Sequence, residues 1–369
     1  MDDPQRLWSP KARGLVPYVP GEQPKSGHPV KLNTNENPYP PSPRVLEAIR
    51  EAAEAGIRLY PDPDALRLRE AVARLYGVTP EMVFPGNGSD EVLAHAFCAF
   101  FSPGHPFLCA DVTYSFYPVY ASLYDLSYRI LPLGEDFSLR LEDYPSSNGG
   151  VVIANPNAPT GMALSAAEID SFLQRNRESL VLVDEAYVDF GAESVVPLVK
   201  RYPNLLVVQT LSKSRSLAGL RVGFAVGNPA LISALDRVKN SFNSYPLDRL
   251  ALAGAVAALD DREYFDRIRH RIMESRERLR EGLVRLGFEV LPSRANFLFA
   301  RHRFLPGQEI AAGLRSREIL VRRFDRPRIG DFLRITVGSD PECDALLSAL
   351  ATLPNISGPA STPPSEGPL

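Results

Sequence analysis

Thr210-Leu211-Ser212-Lys213-Ser214-Arg215-Ser216-Leu217-Ala218-Gly219-Leu220-Arg221-Val222-Gly223 sets one lysine, and an arginine eight residues later, in a segment rich in hydroxyls. The run before it, Leu205-Leu206-Val207-Val208-Gln209, reads as a buried strand, and Val222 to Val226 reads as another. Lys213 is the only lysine between Lys200 and Lys239. Two earlier stretches complete the pattern. Val181-Leu182-Val183-Asp184-Glu185-Ala186-Tyr187 puts an acid and a phenol at a strand end. Gly86-Asn87-Gly88-Ser89-Asp90-Glu91 opens a helix whose unpaired amides attract an anion.

Working outward, the chain alternates strands and helices. Strands are expected at Phe107 to Ala110, Ser127 to Leu131, Gly150 to Ala154, Leu180 to Val183 and Leu205 to Gln209. Ser42-Pro43 starts a helix to about Glu54, and Asp64 to Tyr76 forms another, closed by Gly77. Helices are also read at Val92 to Phe101 and Tyr114 to Tyr124, and a short one at Ser194 to Lys200. Ser165 with Glu168 forms a capping box. This alternation argues for a mostly parallel sheet covered by helices. In such sheets ligands gather at the carboxyl ends of the strands, where Asp184, Lys213 and Asn155-Pro156-Asn157-Ala158-Pro159-Thr160-Gly161 all fall.

After Asn228-Pro229 the pattern turns helical: Pro229 to Lys239, Leu247 to Ala258 and Asp261 to Leu286. A smaller α+β unit follows, with strands at Phe288 to Leu291, Asn296 to Ala300, Ile319 to Val321 and Phe332 to Val337. Its helices are Gly307 to Leu314 and Pro341 to Ala351. The division read from this is an N-terminal arm (1–40), a large unit (41–255), a small unit (256–353) that the arm packs against, and a disordered tail (354–369).

Composition bounds the chemistry. A 369-residue chain with a net charge of −3 creates no global field for nucleic acid or membrane. Three scattered cysteines form neither a metal motif nor a disulfide framework, which suits a reducing cytoplasm. No metal site is expected. The N-terminus lacks the apolar core of a signal peptide, and no apolar run is long enough to span a bilayer. Burial and the nearby Arg221 would lower the pKa of Lys213, favouring the free amine that condenses with an aldehyde. Arg221, Thr210 and Ser212 would add donors for a phosphate. Taken singly, each feature has a plain reading: a glycine turn capped by Ser89, a solvated strand-end acid, a solvent-facing lysine. Their occurrence in one order, each at a strand end, points to a common site.

That ordered set resembles the pyridoxal-phosphate enzymes of the aspartate-aminotransferase fold, and within them the histidinol-phosphate aminotransferases. The resemblance covers about Leu15 to Leu350. It is carried by Leu32-Asn33-Thr34-Asn35-Glu36-Asn37-Pro38, Tyr60-Pro61-Asp62, Gly88-Ser89-Asp90-Glu91, Asp184-Glu185-Ala186-Tyr187, Thr210-Leu211-Ser212-Lys213, Leu217-Ala218-Gly219-Leu220-Arg221-Val222-Gly223 and Leu333-Arg334-Ile335-Thr336-Val337-Gly338. It implies fold type I, with a mostly parallel seven-stranded sheet in the large domain. It also implies pyridoxal 5′-phosphate as cofactor and a homodimer with shared active sites.

The roles implied are as follows. Lys213 carries the cofactor as a Schiff base and shuttles a proton, Asp184 binds the pyridine nitrogen, and Tyr187 the ring hydroxyl. Tyr114 stacks on the ring, while Gly88, Ser89, Asp90, Thr210, Ser212 and Arg221 hold the phosphate. Tyr60 comes from the neighbouring subunit. Arg334 takes the carboxylate of glutamate or 2-oxoglutarate and, with Arg322, faces the phosphate of histidinol phosphate. Tyr18, Asn35 and Asn296 belong to the substrate pocket. Arg322, Arg323, Arg326 and Arg328 also read as a solvated basic loop, in which any one could be the phosphate partner.

One departure stands out. The family has Asn directly before Pro-Thr-Gly, where this chain has Ala158. Either Asn157 reaches the ring from a shifted backbone or Tyr187 donates alone. The competing readings are a threonine-phosphate decarboxylase or an aromatic aminotransferase on the same cofactor. More distant are a non-catalytic binding protein and a nicotinamide dehydrogenase, for which the glycine motif lacks GxGxxG.

Overall fold

In the computed structural model, residues 4–24, 27–354 and 356 are described. The first eight strands are β1 (Val30–Leu32), β2 (Val83–Asn87), β3 (Phe107–Ala110), β4 (Tyr128–Leu131), β5 (Val151–Ala154), β6 (Val181–Asp184), β7 (Leu205–Thr210) and β8 (Val222–Gly227). The last four are β9 (Phe288–Val290), β10 (Phe297–His302), β11 (Ile319–Arg323) and β12 (Phe332–Thr336).

Continuous apolar runs become strands buried on both faces. In β6 and β7, Val181, Val183, Leu205 and Val207 point into one core, and Leu182, Leu206 and Val208 into another. Alternate residues feed opposite layers, so neither face can be polar. The sheet order is β2-β8-β7-β6-β5-β3-β4, and only β8 runs against its neighbours. The mostly parallel seven-stranded sheet of the sequence reading is therefore present.

Its order matters for function. Strands β5, β6 and β7 are adjacent and parallel, so Asn155, Asp184 and the segment after Thr210 leave the sheet side by side. The antiparallel return through β8 turns the Lys213 segment into a connection across that edge.

The second sheet has the order β1-β11-β12-β10-β9. The arm enters it through β1, parallel to β11. Helix Arg262–Arg285 opens on Asp261, whose carboxylate accepts from the Tyr264 amide, and Gly287 follows its end at φ 87°. Ser165 and Glu168 form the expected capping box, and Ser42 caps the helix Pro43–Glu54.

Several boundaries differ from the sequence reading. β2 was not anticipated, because Pro85-Gly86 reads as a loop. It is an edge strand, where the missing amide of a proline costs little. The following helix starts at Gly88, not Val92, and Asn87 rather than Ser89 occupies the cap position. Two other helices start later than read, at Leu66 and Tyr117. Ser194 to Lys200 forms a 3-10 turn over Val196–Lys200. Of the expected tail, Ile356 is buried with the second core, while 355 and 357–369 lie outside the described residues.

The glycine-rich helix start is pressed directly on β8. A Cβ on Gly223 would lie 2.3 Å from the Ser89 amide nitrogen and 2.5 Å from the Gly88 carbonyl carbon. Both are backbone atoms and cannot rotate away. Replacing Gly223 with alanine should therefore lower unfolding free energy by about 1–3 kcal/mol, read as a lower urea midpoint than wild type.

Candidate active site

The edge where β5, β6 and β7 end opens into a cavity of about 230 Å³ between the two sheets. Lys213 enters it from the segment after β7. Its Nζ lies 3.4 Å from the Thr34 carbonyl oxygen, and Asn37 Nδ2 donates to the Lys213 carbonyl at 3.0 Å. The arm thus touches both ends of this residue. Burial pushes the amine down to about 8, helped by the Arg334 guanidinium and opposed by Asp90 and Glu36. Arg221, named in the sequence reading as the nearby cause, ranks below Arg334.

Asp184 ends β6 and is 5% exposed. Its Oδ2 accepts from the Tyr117 hydroxyl at 2.9 Å, and its Oδ1 from the Ala186 amide at 3.1 Å. Burial pushes the carboxyl up to about 6, and these donors hold it from rising further. Tyr117 is fully buried and was not singled out from the sequence. The available signal was its place in the aromatic cluster with Tyr114 and Phe116.

An anion cradle lies alongside. Arg221 Nη2 donates to Asp90 Oδ2 at 3.0 Å and its Nη1 to Ser212 Oγ at 3.3 Å. Thr210 Oγ1 donates to Ser212 Oγ at 3.0 Å, and Ser89 lines the same wall. A Cβ on Gly88 would sit 2.4 Å from Arg221 Nη2, so the guanidinium occupies the space a side chain would fill. Tyr114 closes this side, its hydroxyl donating to Asp90 Oδ1 at 2.9 Å.

On the opposite wall, Asn35 Nδ2 donates to the Tyr187 hydroxyl at 3.0 Å. Thr336 Oγ1 donates to Asn35 Oδ1 at 3.1 Å, and Asn296 Nδ2 to the Asn35 carbonyl at 3.0 Å. Asn35 is thereby held at φ 55°. Arg322 and Arg334 are register partners on β11 and β12, so both point to one face, into the cavity. Arg323 faces the other way and donates to the Gly330 carbonyl at 2.8 Å. Period-two alternation therefore separates Arg322 from its neighbour. Arg334 Nη2 donates to the Asn33 carbonyl at 2.9 Å, while its buried Nε has no hydrogen-bond partner among the described residues.

Most of the residues named from sequence thus meet in one place, with three exceptions. Asn157 is turned away: its amide donates to the Val112 carbonyl at 2.9 Å and to Thr160 Oγ1 at 3.1 Å. Its Oδ1 accepts from Thr113 Oγ1 at 2.8 Å. Its hydrogen bonds are spent inside the fold, and Ala158 presents the wall instead. Asn296 sits one layer behind the wall, fully buried. Tyr60 lies outside the cavity, 79% exposed and stacked on Tyr245 at 4.7 Å. Among the described residues, no group of three or more His, Cys, Asp or Glu is placed to hold a metal ion.

The family description "Aminotransferase class I and II" matches residues 27–350. The chain belongs to this family. It is 62% identical over 346 residues to "Histidinol-phosphate aminotransferase 1" of Methylococcus capsulatus, covering 94% of this chain and 97% of that protein. It is 57% identical over 346 residues to a histidinol-phosphate aminotransferase of Pseudomonas putida, covering 94% and 99%. Among solved structures it is similar to histidinol-phosphate aminotransferase of Sinorhizobium meliloti in complex with pyridoxal-5′-phosphate. That match has a TM-score of 0.85 and 26% identity over 93% of this chain and 96% of the other. Aspartate aminotransferase of Thermus thermophilus shares the fold, with a TM-score of 0.78 and 21% identity over 94% and 99%.

The lowered Lys213 has a thermodynamic signature in the cofactor-free aminotransferase. Its ordinary value is 10.5 and its folded value about 8, so between these the unfolded chain binds the extra proton. The penalty for burying the charge is fully present below about pH 8 and is relieved as pH rises to 10.5. Lys213→Met should therefore stabilise the cofactor-free protein at pH 7, with an advantage that shrinks by pH 10. Urea midpoints at the two pH values measure this, and an unchanged difference would contradict it.

Proposed function

We propose that the protein is a pyridoxal-5′-phosphate-dependent aminotransferase that converts histidinol phosphate and 2-oxoglutarate to imidazole acetol phosphate and L-glutamate, in histidine biosynthesis. The observation that carries the reading is a single cavity holding a lysine of lowered pKa, a buried carboxylate and two facing arginines. The names of the relatives support the same substrate.

The residues present fit the cofactor. The donor set of Ser89, Thr210, Ser212 and Arg221, beside a helix start, suits a phosphate. Asp184, with both oxygens fixed, suits a protonated pyridine nitrogen. Tyr187 accepts from Asn35 and so keeps its own hydrogen for the ring hydroxyl, without help from Asn157. When bound, the cofactor supplies an electron sink for negative charge at the substrate α-carbon. Lys213 would take the proton from the substrate α-carbon, a task suited to an amine whose pKa is lowered to about 8. Tyr114 would lie against the ring and help keep water from it.

Arg334 binds the carboxylate of glutamate or 2-oxoglutarate, and Arg322 joins it on the phosphate of histidinol phosphate. Tyr18 and Asn35 bound the substrate, with Asn296 supporting Asn35 from behind. The enzyme works as a cytoplasmic homodimer in which the exposed Tyr60 reaches the neighbouring site. Residues 41–255 form the cofactor unit, and the arm with 256–353 forms the smaller unit.

The test is an absorption spectrum of the purified protein before and after adding histidinol phosphate, without a keto acid. Loss of the yellow form in favour of the pyridoxamine form is expected, and Lys213→Ala should abolish it. A yellow protein that ignores histidinol phosphate but responds to another amino acid would remove the substrate assignment and keep the cofactor. Arg322→Ala should raise KM for histidinol phosphate by at least about tenfold, the loss of one charge-assisted contact, and leave KM for 2-oxoglutarate less affected.

A further inference from the structure

Phe324 lies one residue past the end of β11 and lines the cavity together with Arg322 and Arg334. Its ring lies near two of the guanidiniums that line the cavity, those of Arg322 and Arg334. The Arg322 Cζ is 5.6 Å from the ring centroid, and the Arg334 Cζ is also 5.6 Å from it. The ring is itself anchored edge-on to Phe299 at 6.4 Å, and Phe299 is fully buried and stacked on Phe332 at 4.6 Å.

Two positive groups directly opposed across β11 and β12 repel each other. Arg334 is fixed by the Asn33 carbonyl, whereas the hydrogen bonds of Arg322 among the described residues are to the Val19 and Pro20 carbonyls, at 3.4 and 3.5 Å. Such long contacts are weak. The aromatic face attracts each cation and gives both a shared, rigid neighbour. Without it, Arg322 has little to keep it over the cavity, and repulsion from Arg334 favours its turning out to solvent.

We propose that Phe324 is a specificity-determining positioning residue. It holds Arg322 beside Arg334 so that the pair accepts a phosphate monoester dianion, which can engage two guanidiniums, in preference to an α-carboxylate, which Arg334 binds. This rests on the reading of the substrate given above. The α-carboxylate of glutamate or 2-oxoglutarate draws on Arg334, which the Asn33 carbonyl also holds, so its binding is less sensitive to Phe324, whereas a phosphorylated amine draws on both guanidiniums.

The experiment measures kcat and KM for histidinol phosphate and for 2-oxoglutarate in wild type, Phe324→Leu and Phe324→Tyr, all loaded with cofactor. Turnover of histidinol phosphate by wild type comes first, and its absence would overturn the substrate reading rather than the role of the ring. With turnover present, Phe324→Leu should raise KM for histidinol phosphate by about fivefold to tenfold. Its KM for 2-oxoglutarate should rise by a clearly smaller factor. Phe324→Tyr, which keeps the ring, should behave as wild type. If Phe324→Leu melts below the assay temperature, Phe324→Met carries the same test. Equal effects of the ringless variant on both substrates, or no effect on either, would overturn the proposal.

Discussion

A partly buried amine whose pKa a guanidinium helps to lower is the constraint on which the rest of this structure depends. Lys213 follows a strand buried on both faces, so its backbone is fixed by the core. Its side chain then crosses to the arm and meets the Thr34 carbonyl. Burial and Arg334 together bring the amine toward neutrality, which is where an amine serves as both nucleophile and base. Arg334 belongs to the second sheet. The reactivity of a residue on one sheet is therefore set by a charge on the other.

The same division runs through the whole site. The seven-stranded sheet supplies Asp184, Lys213 and the anion cradle, all at the ends of neighbouring strands. The five-stranded sheet supplies the two arginines, which register pairing aims at one face. The arm ties the two together. β1 joins the second sheet, and the next few residues reach Lys213 through Thr34 and Asn37 and Tyr187 through Asn35. Close backbone approach keeps the cradle rigid, because Gly223 lets the helix start lie on β8 with no side chain between.

Much of this was legible in the sequence. Continuous runs such as Val181-Leu182-Val183 can only be strands covered on both sides, and their order put Asp184 and Lys213 at one edge. What was not legible depends on contacts between distant segments. β2 contains Pro85 and Gly86 and becomes a strand only because β8 offers it an edge. The family resemblance left Asn157 open as a ring contact, but Val112, Thr113 and Thr160 consume its hydrogen bonds. Tyr117 looked like one of several aromatics until the fold brought its hydroxyl to Asp184. The choice between Arg322 and Arg323 needed the register with β12, which spacing alone does not give.

The central claim is that Lys213, and no other lysine, carries the cofactor. Borohydride reduction of the purified, cofactor-loaded protein, followed by proteolysis and mass spectrometry, tests it directly. The account predicts the added pyridoxyl mass on the peptide that contains Lys213. The same mass on a peptide containing Lys31 or Lys239, with Lys213 unmodified, would contradict it.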